Sequence, residues 1–278
     1  MIKLRNLTQR YAIAFAAIMT VATVLITRTV SFFVRLMPDS GTRAFIYEIA
    51  HIIWPVALIF LLGYGFTLKE KGFGKTLKAS LGFAAIFLVS AVLSLARDLK
   101  NPDMAWQTWD KIVLGIVMLI GVGLREELIF RGVIQNALAI KYAKSSKGIW
   151  LTVAVSALAF GLLHYGNVFS GVTFGAASLQ VLGAMATGAV FGAFYLRGGN
   201  IWVPILIHAV VDFQSLLETT FTTNAGTEIE KLNNTNATGL IILIPALILL
   251  AVFLLRKSKH AEILARMEAL RVKYGEEA

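Results

Sequence analysis

Hydrophobic positions in this chain form long runs that are separated by short polar links. A membrane-spanning helix needs about 20 mainly apolar residues, within a range of about 17–25. Eight runs meet that requirement, at roughly 11–34, 44–66, 79–96, 109–138, 148–165, 179–196, 201–217 and 239–255. The pattern predicts an all-α fold, a polytopic membrane helix bundle of about eight transmembrane helices.

Composition agrees with a membrane protein and excludes several other classes. Of the 278 residues, 57% are hydrophobic and 15% charged, against about a quarter charged in soluble domains. The net charge of +10 comes from Lys and Arg in the short links and the last 23 residues, without a nucleic-acid motif, so no nucleic-acid partner is expected. The absence of cysteine excludes disulfides, thiolate metal sites and a cysteine nucleophile.

The distribution of Lys and Arg predicts the orientation. With the N-terminus inside, inside segments hold 17 of these residues and outside links hold 7. This bias predicts a multi-pass protein of the cell membrane with both termini in the cytoplasm. We expect one membrane domain over 1–255 and a cytoplasmic basic amphipathic tail over 256–278, lying on the membrane surface or against a neighbour. The polar segment 218–238 is expected to be a flexible loop.

Ionisable residues inside the predicted spans are few and concentrated. A charge at the bilayer centre costs at least about 2.5–3.5 kcal/mol, so such residues usually pair or face a cavity. On the fourth span, Glu127 and Arg131 are four residues apart and share a helix face, which favours a structural ion pair. Glu126 is rotated about 100° from Glu127 and is free for another role. The other spans contribute His164, His208 and Asp212.

These residues have the spacing of a hydrolytic site. Glu126 lies 15 residues before Lys141 and His164 lies 16 residues after Gly148, so in an antiparallel pair both are about 23 Å from the turn. His208 and Asp212 share a face of the seventh span. A buried glutamate beside an imidazole can act as the general base that activates a water. By contrast, the lone histidines His51 and His260 are interpreted as packing or hydrogen-bonding residues.

Other intramembrane protease signatures are missing from the sequence. It contains no H-E-x-x-H, no serine framed as G-x-S-x-G and no pair of membrane aspartates. EELIFRG (126–132), AFGLLH (159–164) and HAVVD (208–212) instead have the forms E-E-x-x-x-R, F-x-x-x-H and H-x-x-x-N/D. In this order and on these spans, the chain resembles the CAAX-prenyl-protease and bacteriocin-processing family, also called the CPBP or ABI family, over a motif-bearing core at 109–217.

The resemblance implies an intramembrane endopeptidase that acts on a peptide or membrane-protein substrate near the cytoplasmic leaflet. Glu126 would activate the water with help from His164, while His208 and residue 212 would orient the intermediate and stabilise its oxyanion. Glu127, Arg131 and Phe160 would support the site. Asp212 departs from the asparagine of the prenyl-protease members; an ionised carboxylate cannot donate to an oxyanion, so Asp212 would orient His208 instead.

Two alternatives stay open from the sequence. Glu126, His164, His208 and Asp212 form a plausible set of N and O ligands for zinc, although the absence of H-E-x-x-H favours a metal-free mechanism with no required cofactor. The chain is also consistent with a non-enzymatic membrane immunity or partner-binding protein of the same family. A proton-relaying transporter is disfavoured, since no internal repeat is evident.

Overall fold

The hydrophobic runs form helices, and the predicted all-α bundle is confirmed. The computed structural model describes residues 2–37, 40–235 and 237–274. It is 85% helical, and within the described residues the only β-type pairing is an isolated bridge between Trp106 and Thr222. The α-helices are α1 Ile2–Arg10, α2 Ala12–Arg35, α3 Ser40–Leu61, α4 Phe73–Asp98, α5 Trp109–Glu127, α6 Asn136–Tyr142, α7 Ser146–Leu163, α8 Phe174–Gly198, α9 Trp202–Phe221, α10 Glu228–Asn233, α11 Ala237–Leu254 and α12 His260–Tyr274.

Shorter helical segments connect these elements. A π-helix over Leu128–Gln135 joins α5 to α6, which makes one helical stretch from Trp109 to Tyr142. Three 3-10 segments cover Gly65–Leu68, His164–Ser170 and Lys257–Lys259. The predicted fourth span therefore exists, but it is longer than expected and contains a change of helix type that the sequence did not indicate.

Six helices among the described residues are long and apolar enough to cross a membrane by length and composition. They are Ala12–Arg35, Thr42–Leu61, Phe73–Asp98, Ser146–Ser170, Phe174–Gly198 and Ala237–Leu254. The other two predicted spans are also helices, namely the stretch beginning with α5 and α9. These two helices carry most of the candidate site, and its polar and ionisable residues make them less apolar than the six listed helices.

Different segments of the chain lie at the two ends of the bundle. Both described termini lie at one end, where Gln9 Nε2 donates to the Tyr274 carbonyl at 3.3 Å. The end of α8 and the start of α4 meet there; Gly72 has φ +137°, and a Cβ on it would lie 2.2 Å from the Gly198 carbonyl oxygen. At the opposite end, the link before α5 bonds to the end of α9 through Gln107 N and Phe221 O at 2.8 Å. We call these the terminal face and the far face.

The tail helix α12 packs against the bundle at the terminal face. Ile263 and Met267 are buried in the core cluster formed by α8 and α11. His260 contacts Ser146 Oγ at 2.7 Å and the Leu255 carbonyl at 2.6 Å, and Tyr274 stacks on Phe66 with centroids 4.6 Å apart. Of the two placements that the sequence allowed for the tail, the structure has the one against a neighbouring element.

The segment 218–238 is not the loop that its polar composition indicated. Helix α9 continues to Phe221, and α10 follows with a capping box in which Thr227 and Glu230 satisfy each other's backbone N–H groups. Asn233 donates to the Gly171 carbonyl at 3.2 Å and accepts from Thr173 N at 2.8 Å. These local bonds order the segment and hold α10 over the far face.

Candidate active site

The π-helix at Leu128–Gln135 attaches the central helix to α8. Arg131 Nη2 donates to the Gly188 carbonyl and Gln135 Nε2 donates to the Gly192 carbonyl, both at 2.9 Å. A Cβ on Gly188 would lie 2.9 Å from Phe160, and one on Gly192 would lie 2.9 Å from Gln135 Oε1. The two glycines therefore let α8 approach closely enough for its carbonyls to accept these bonds. π-Helical turns of this kind occur frequently at functional sites.

Glu127 connects the central helix to α9. Its Oε1 accepts from Arg131 Nη1 at 3.0 Å and from His208 Nδ1 at 2.9 Å. The Glu127 and Arg131 side chains are fully buried, and only 6% of the His208 side chain is exposed. The pair predicted from the four-residue spacing is thus present, and it has a further function that spacing did not reveal: it fixes the orientation of the His208 ring.

Orientation of the ring directs its second nitrogen toward two carboxylates. His208 Nε2 lies 3.7 Å from Glu126 Oε2 and 3.6 Å from Asp212 Oδ2. Both separations exceed the range of a direct hydrogen bond. Asp212 Oδ2 is buried without a hydrogen-bond partner in the described part of the chain. The structure thus brings together three of the four residues predicted to act in catalysis, with His208 at the centre.

His164 lies at the end of α7, where the 3-10 segment begins. Its Nδ1 donates to the Phe160 carbonyl at 3.1 Å, which leaves Nε2 available to another partner. The Phe160 ring packs edge-on against His164 and His208, with centroids 5.3 and 5.8 Å away, and lies under the Arg131 guanidinium. Phe160 therefore separates the two imidazoles and supports both. His164 and Glu126 both line the same cavity.

The candidate residues line a partly open cavity of about 540 Å³. It begins at Glu126 and His208 in the middle of the bundle and runs toward the far face, where Asn167 and Glu228 contribute to its wall. The cavity thus extends toward the face opposite the termini, which conflicts with a site near the cytoplasmic leaflet if the termini are cytoplasmic.

Helix α3 contributes cavity residues that the sequence analysis missed. Tyr47, His51 and Trp54 line the cavity. Glu48 pairs with Arg125, and its Oε2 is buried without a partner in the described part of the chain. His51 bonds to the Tyr47 carbonyl at 2.6 Å and to Thr27 Oγ1 at 3.2 Å, so it has the hydrogen bonds expected of it but also faces the site. The only sequence signal was the helical spacing of polar residues in YEIAHIIW.

The arrangement offers no ready-made metal site within the described residues, since no group of three His, Asp or Glu side chains there is placed to hold one ion. At His208, Nδ1 is held by Glu127, so an ion there would have to use Nε2 together with Glu126 Oε2 and Asp212 Oδ2, which lie 3.7 and 3.6 Å from it. Ligands bound to one zinc at about 2.0–2.2 Å are roughly 3.4 Å apart, so these three groups would need only a small adjustment to hold zinc.

One family model matches the chain, with the description "Type II CAAX prenyl endopeptidase Rce1-like", over residues 108–214. No curated protein and no solved structure gives a match. The matched range includes Glu126, His164, His208 and Asp212, together with the supporting residues Glu127, Arg131 and Phe160. A protease family implies a peptide or membrane-protein substrate, and the apolar helices indicate a multi-pass membrane protein. Residues 108–214, which are 107 of the 278 residues, thus match the CPBP/CAAX protease family that the sequence motifs had indicated.

Proposed function

We propose that this protein is an intramembrane endopeptidase that hydrolyses peptide bonds with a water activated by Glu126. The observation that carries the proposal is the position of His208. Its Nδ1 is fixed by Glu127, while its Nε2 lies between Glu126 and Asp212 on the wall of a cavity. A structural ion pair would require only Glu127 and Arg131; the additional carboxylates that face the cavity indicate chemistry there.

In the proposed reaction, Glu126 takes a proton from a water, and the resulting hydroxide attacks the carbonyl carbon of the scissile bond. His164, whose Nε2 is uncommitted, helps to position that water. His208 donates from Nε2 to the oxyanion, and Asp212 keeps the ring charged and oriented for this step. The proton held by Glu126 passes to the leaving nitrogen, the C–N bond breaks, and a carboxylate and an amine are released.

The size and lining of the cavity support a peptide substrate. Its volume of about 540 Å³ lies within the range of about 300–1,000 Å³ that is typical of ligand sites. Its wall combines aromatic side chains, such as Trp54 and Phe160, with polar groups, such as Asn167. The proposal requires a segment of peptide to enter from the far face, and it does not require a prenyl group on that segment.

We propose that the mechanism needs no metal. The absence of an H-E-x-x-H pair, which would place two zinc ligands on one helix face, supports this. Activity should therefore survive extensive dialysis against a chelator, and added zinc should not restore activity to Glu126→Gln. Activity that is lost on chelation and regained with stoichiometric zinc would overturn the metal-free mechanism while leaving the peptidase proposal intact.

The decisive experiment compares peptide termini in membranes from cells that express either the wild type or Glu126→Gln at matched levels. Glu268→Gln serves as the control, because it makes the same change on an exposed carboxylate of the tail helix. Termini present with the wild type and Glu268→Gln, but absent with Glu126→Gln, would support proteolysis and identify a substrate. Identical termini in all three, with all proteins folded, would favour a non-enzymatic immunity or partner-binding role.

A further inference from the structure

We propose a second site, a binding site for an anionic phospholipid, in a groove at the terminal face. The groove has a volume of about 760 Å³ and lies between α4, the end of α8, α11 and the start of α12. It is remote from the candidate active site, which runs toward the far face. The inference is therefore independent of the proposed peptidase function.

The mouth of the groove is strongly positive. Its basic residues are Lys75, Lys78, Arg197, Arg256 and Lys259, and its one acidic residue is Glu262. Glu262 pairs with Lys75 at 2.5 Å. Among the described residues, the other four cations have no carboxylate within ion-pair distance. Four adjacent basic side chains without ion-pair partners repel one another, and a bound phosphate would relieve that repulsion.

Two arginines are already positioned to receive an anion. Arg197 is in the last turn of α8, and its Nε is buried without a hydrogen-bond partner in the described part of the chain. Arg256 is held by a bond from its Nη1 to the Phe253 carbonyl at 2.9 Å and by the Phe253 ring at 4.2 Å. Arginine is well suited to phosphate because its planar guanidinium can donate two parallel hydrogen bonds.

Below the mouth, the groove becomes apolar. On α4, Lys75 and Lys78 are followed on the same face by Gly82 and Ile86, so this wall extends for about 16 Å along the helix axis. A Cβ on Gly82 would meet nothing within 4 Å, so the groove is open at that position. Ile86 is 69% exposed and Phe253 58% exposed, so the floor faces outward from the bundle.

This order of groups matches a phospholipid rather than a free anion. The cations would hold the phosphate at the membrane interface, and the apolar walls would hold the first part of the acyl chains. Basic pockets between transmembrane helices on the cytoplasmic side bind lipid headgroups in this way. The terminal face is also the side that the Lys and Arg distribution predicts to be cytoplasmic.

The test is native mass spectrometry of the full chain in detergent with equal amounts of phosphatidylglycerol and phosphatidylcholine of identical acyl chains. The triple variant Lys78→Gln, Arg197→Gln, Arg256→Gln removes three cations of the groove. The matched control is Lys144→Gln, Lys147→Gln, Lys257→Gln, which removes three cations of the same face that do not line the groove. Gel filtration and thermal unfolding verify that both variants fold.

We expect the wild type and the control to retain phosphatidylglycerol in preference to phosphatidylcholine. Each lost cation should weaken binding of the anionic lipid about fivefold, and the triple variant about 100-fold. Should the triple variant fail to fold, Lys78→Gln alone, at an exposed position, should still weaken binding of the anionic lipid about fivefold. Equal retention of both lipids by the wild type, or equal loss in the variant and the control, would overturn the site. Displacement of the lipid by millimolar glycerol 3-phosphate would overturn the role of the apolar walls.

Discussion

At the scale of single residues, the two adjacent glutamates of the central helix have different surroundings. Glu127 is fully buried and accepts from both Arg131 and His208, whereas 15% of the Glu126 side chain is exposed to the cavity. One carboxylate is therefore enclosed by its ion pair and hydrogen bond, and the other faces the cavity, where the proposed mechanism requires it. This difference follows from a rotation of about 100° between neighbouring residues on a helix.

The first prediction concerns stability at these positions. Arg131→Ala removes the cation and leaves the buried Glu127 carboxylate without its ion pair, which should cost about 3–5 kcal/mol and lower the folded yield. Glu126→Gln should fold almost as well as the wild type, because its carboxylate has no short bond to lose. Fluorescence-detected gel filtration after expression at matched levels measures both yields. Equal losses in the two variants would contradict the division of roles.

At the scale of elements, the position of the site depends on close contacts between helices. A Cβ on Gly161 of α7 would lie 2.2 Å from Met185 Cγ and 2.8 Å from the Val181 carbonyl oxygen of α8. Small residues at such contacts are typical of membrane helices, which associate largely through packing. The α7–α8 contact holds Phe160 beneath Arg131 and beside both histidines.

The second prediction tests this contact. Gly161→Ala should destabilise the protein by about 1–3 kcal/mol through overpacking, with loss of activity following from displacement of Phe160 and His164. Gly239→Ala is the matched control, since its Cβ on α11 would meet nothing within 4 Å. Thermal unfolding in detergent should show a lower midpoint for Gly161→Ala alone. An unchanged midpoint would mean that α7 and α8 can move apart without loss of stability.

The third prediction concerns the docking of α12. Arg266 bonds to Glu70 Oε2 at 2.6 Å and to the carbonyls of Tyr195 and Leu196 at 3.3 and 3.2 Å. Arg266→Ala should therefore loosen the tail and increase its cleavage by trypsin several-fold. Lys273→Ala, at an exposed position of the same helix, should leave the cleavage rate as in the wild type. Equal rates in both variants would show that the apolar contacts of Ile263 and Met267 hold the tail by themselves.

At the scale of the whole molecule, the termini and the cavity point in opposite directions. The contacts of Gln9 with Tyr274 place both described termini at one face, and Asn167 and Glu228 line the cavity toward the other. The described termini and the cavity therefore cannot both be on the cytoplasmic side of the membrane. The Lys and Arg distribution favours cytoplasmic termini, which would have the cavity accept substrate from the outer side.

The fourth prediction measures this orientation. The chain has no cysteine, so a single introduced cysteine can be labelled without a background. Thr235→Cys, beside the cavity, should react with a membrane-impermeant maleimide in intact cells, whereas Ser258→Cys, at the terminal face, should react only after lysis. The reverse pattern would place the cavity on the cytoplasmic side and the termini outside.

What the sequence determined by itself was the class of fold and the identity of the ionisable residues. Long apolar runs form helices in a bilayer because each backbone polar group must be satisfied internally. The pair Glu127–Arg131 was predictable because residues four apart share a helix face. Local periodicity and the motifs at 126–132, 159–164 and 208–212 were sufficient for these statements.

Only the tertiary structure decided which groups meet across helices. The bond between Glu127 and His208 joins residues 81 positions apart. Helix α3 brings His51 to the cavity, which the spacing of polar residues in YEIAHIIW could not show by itself. The π-helix and the direction of the cavity likewise depend on how α8, α9 and α10 pack around the central helix. Such contacts are set by the packing of whole surfaces, and a period of 3.6 residues within one helix carries no information about its neighbours.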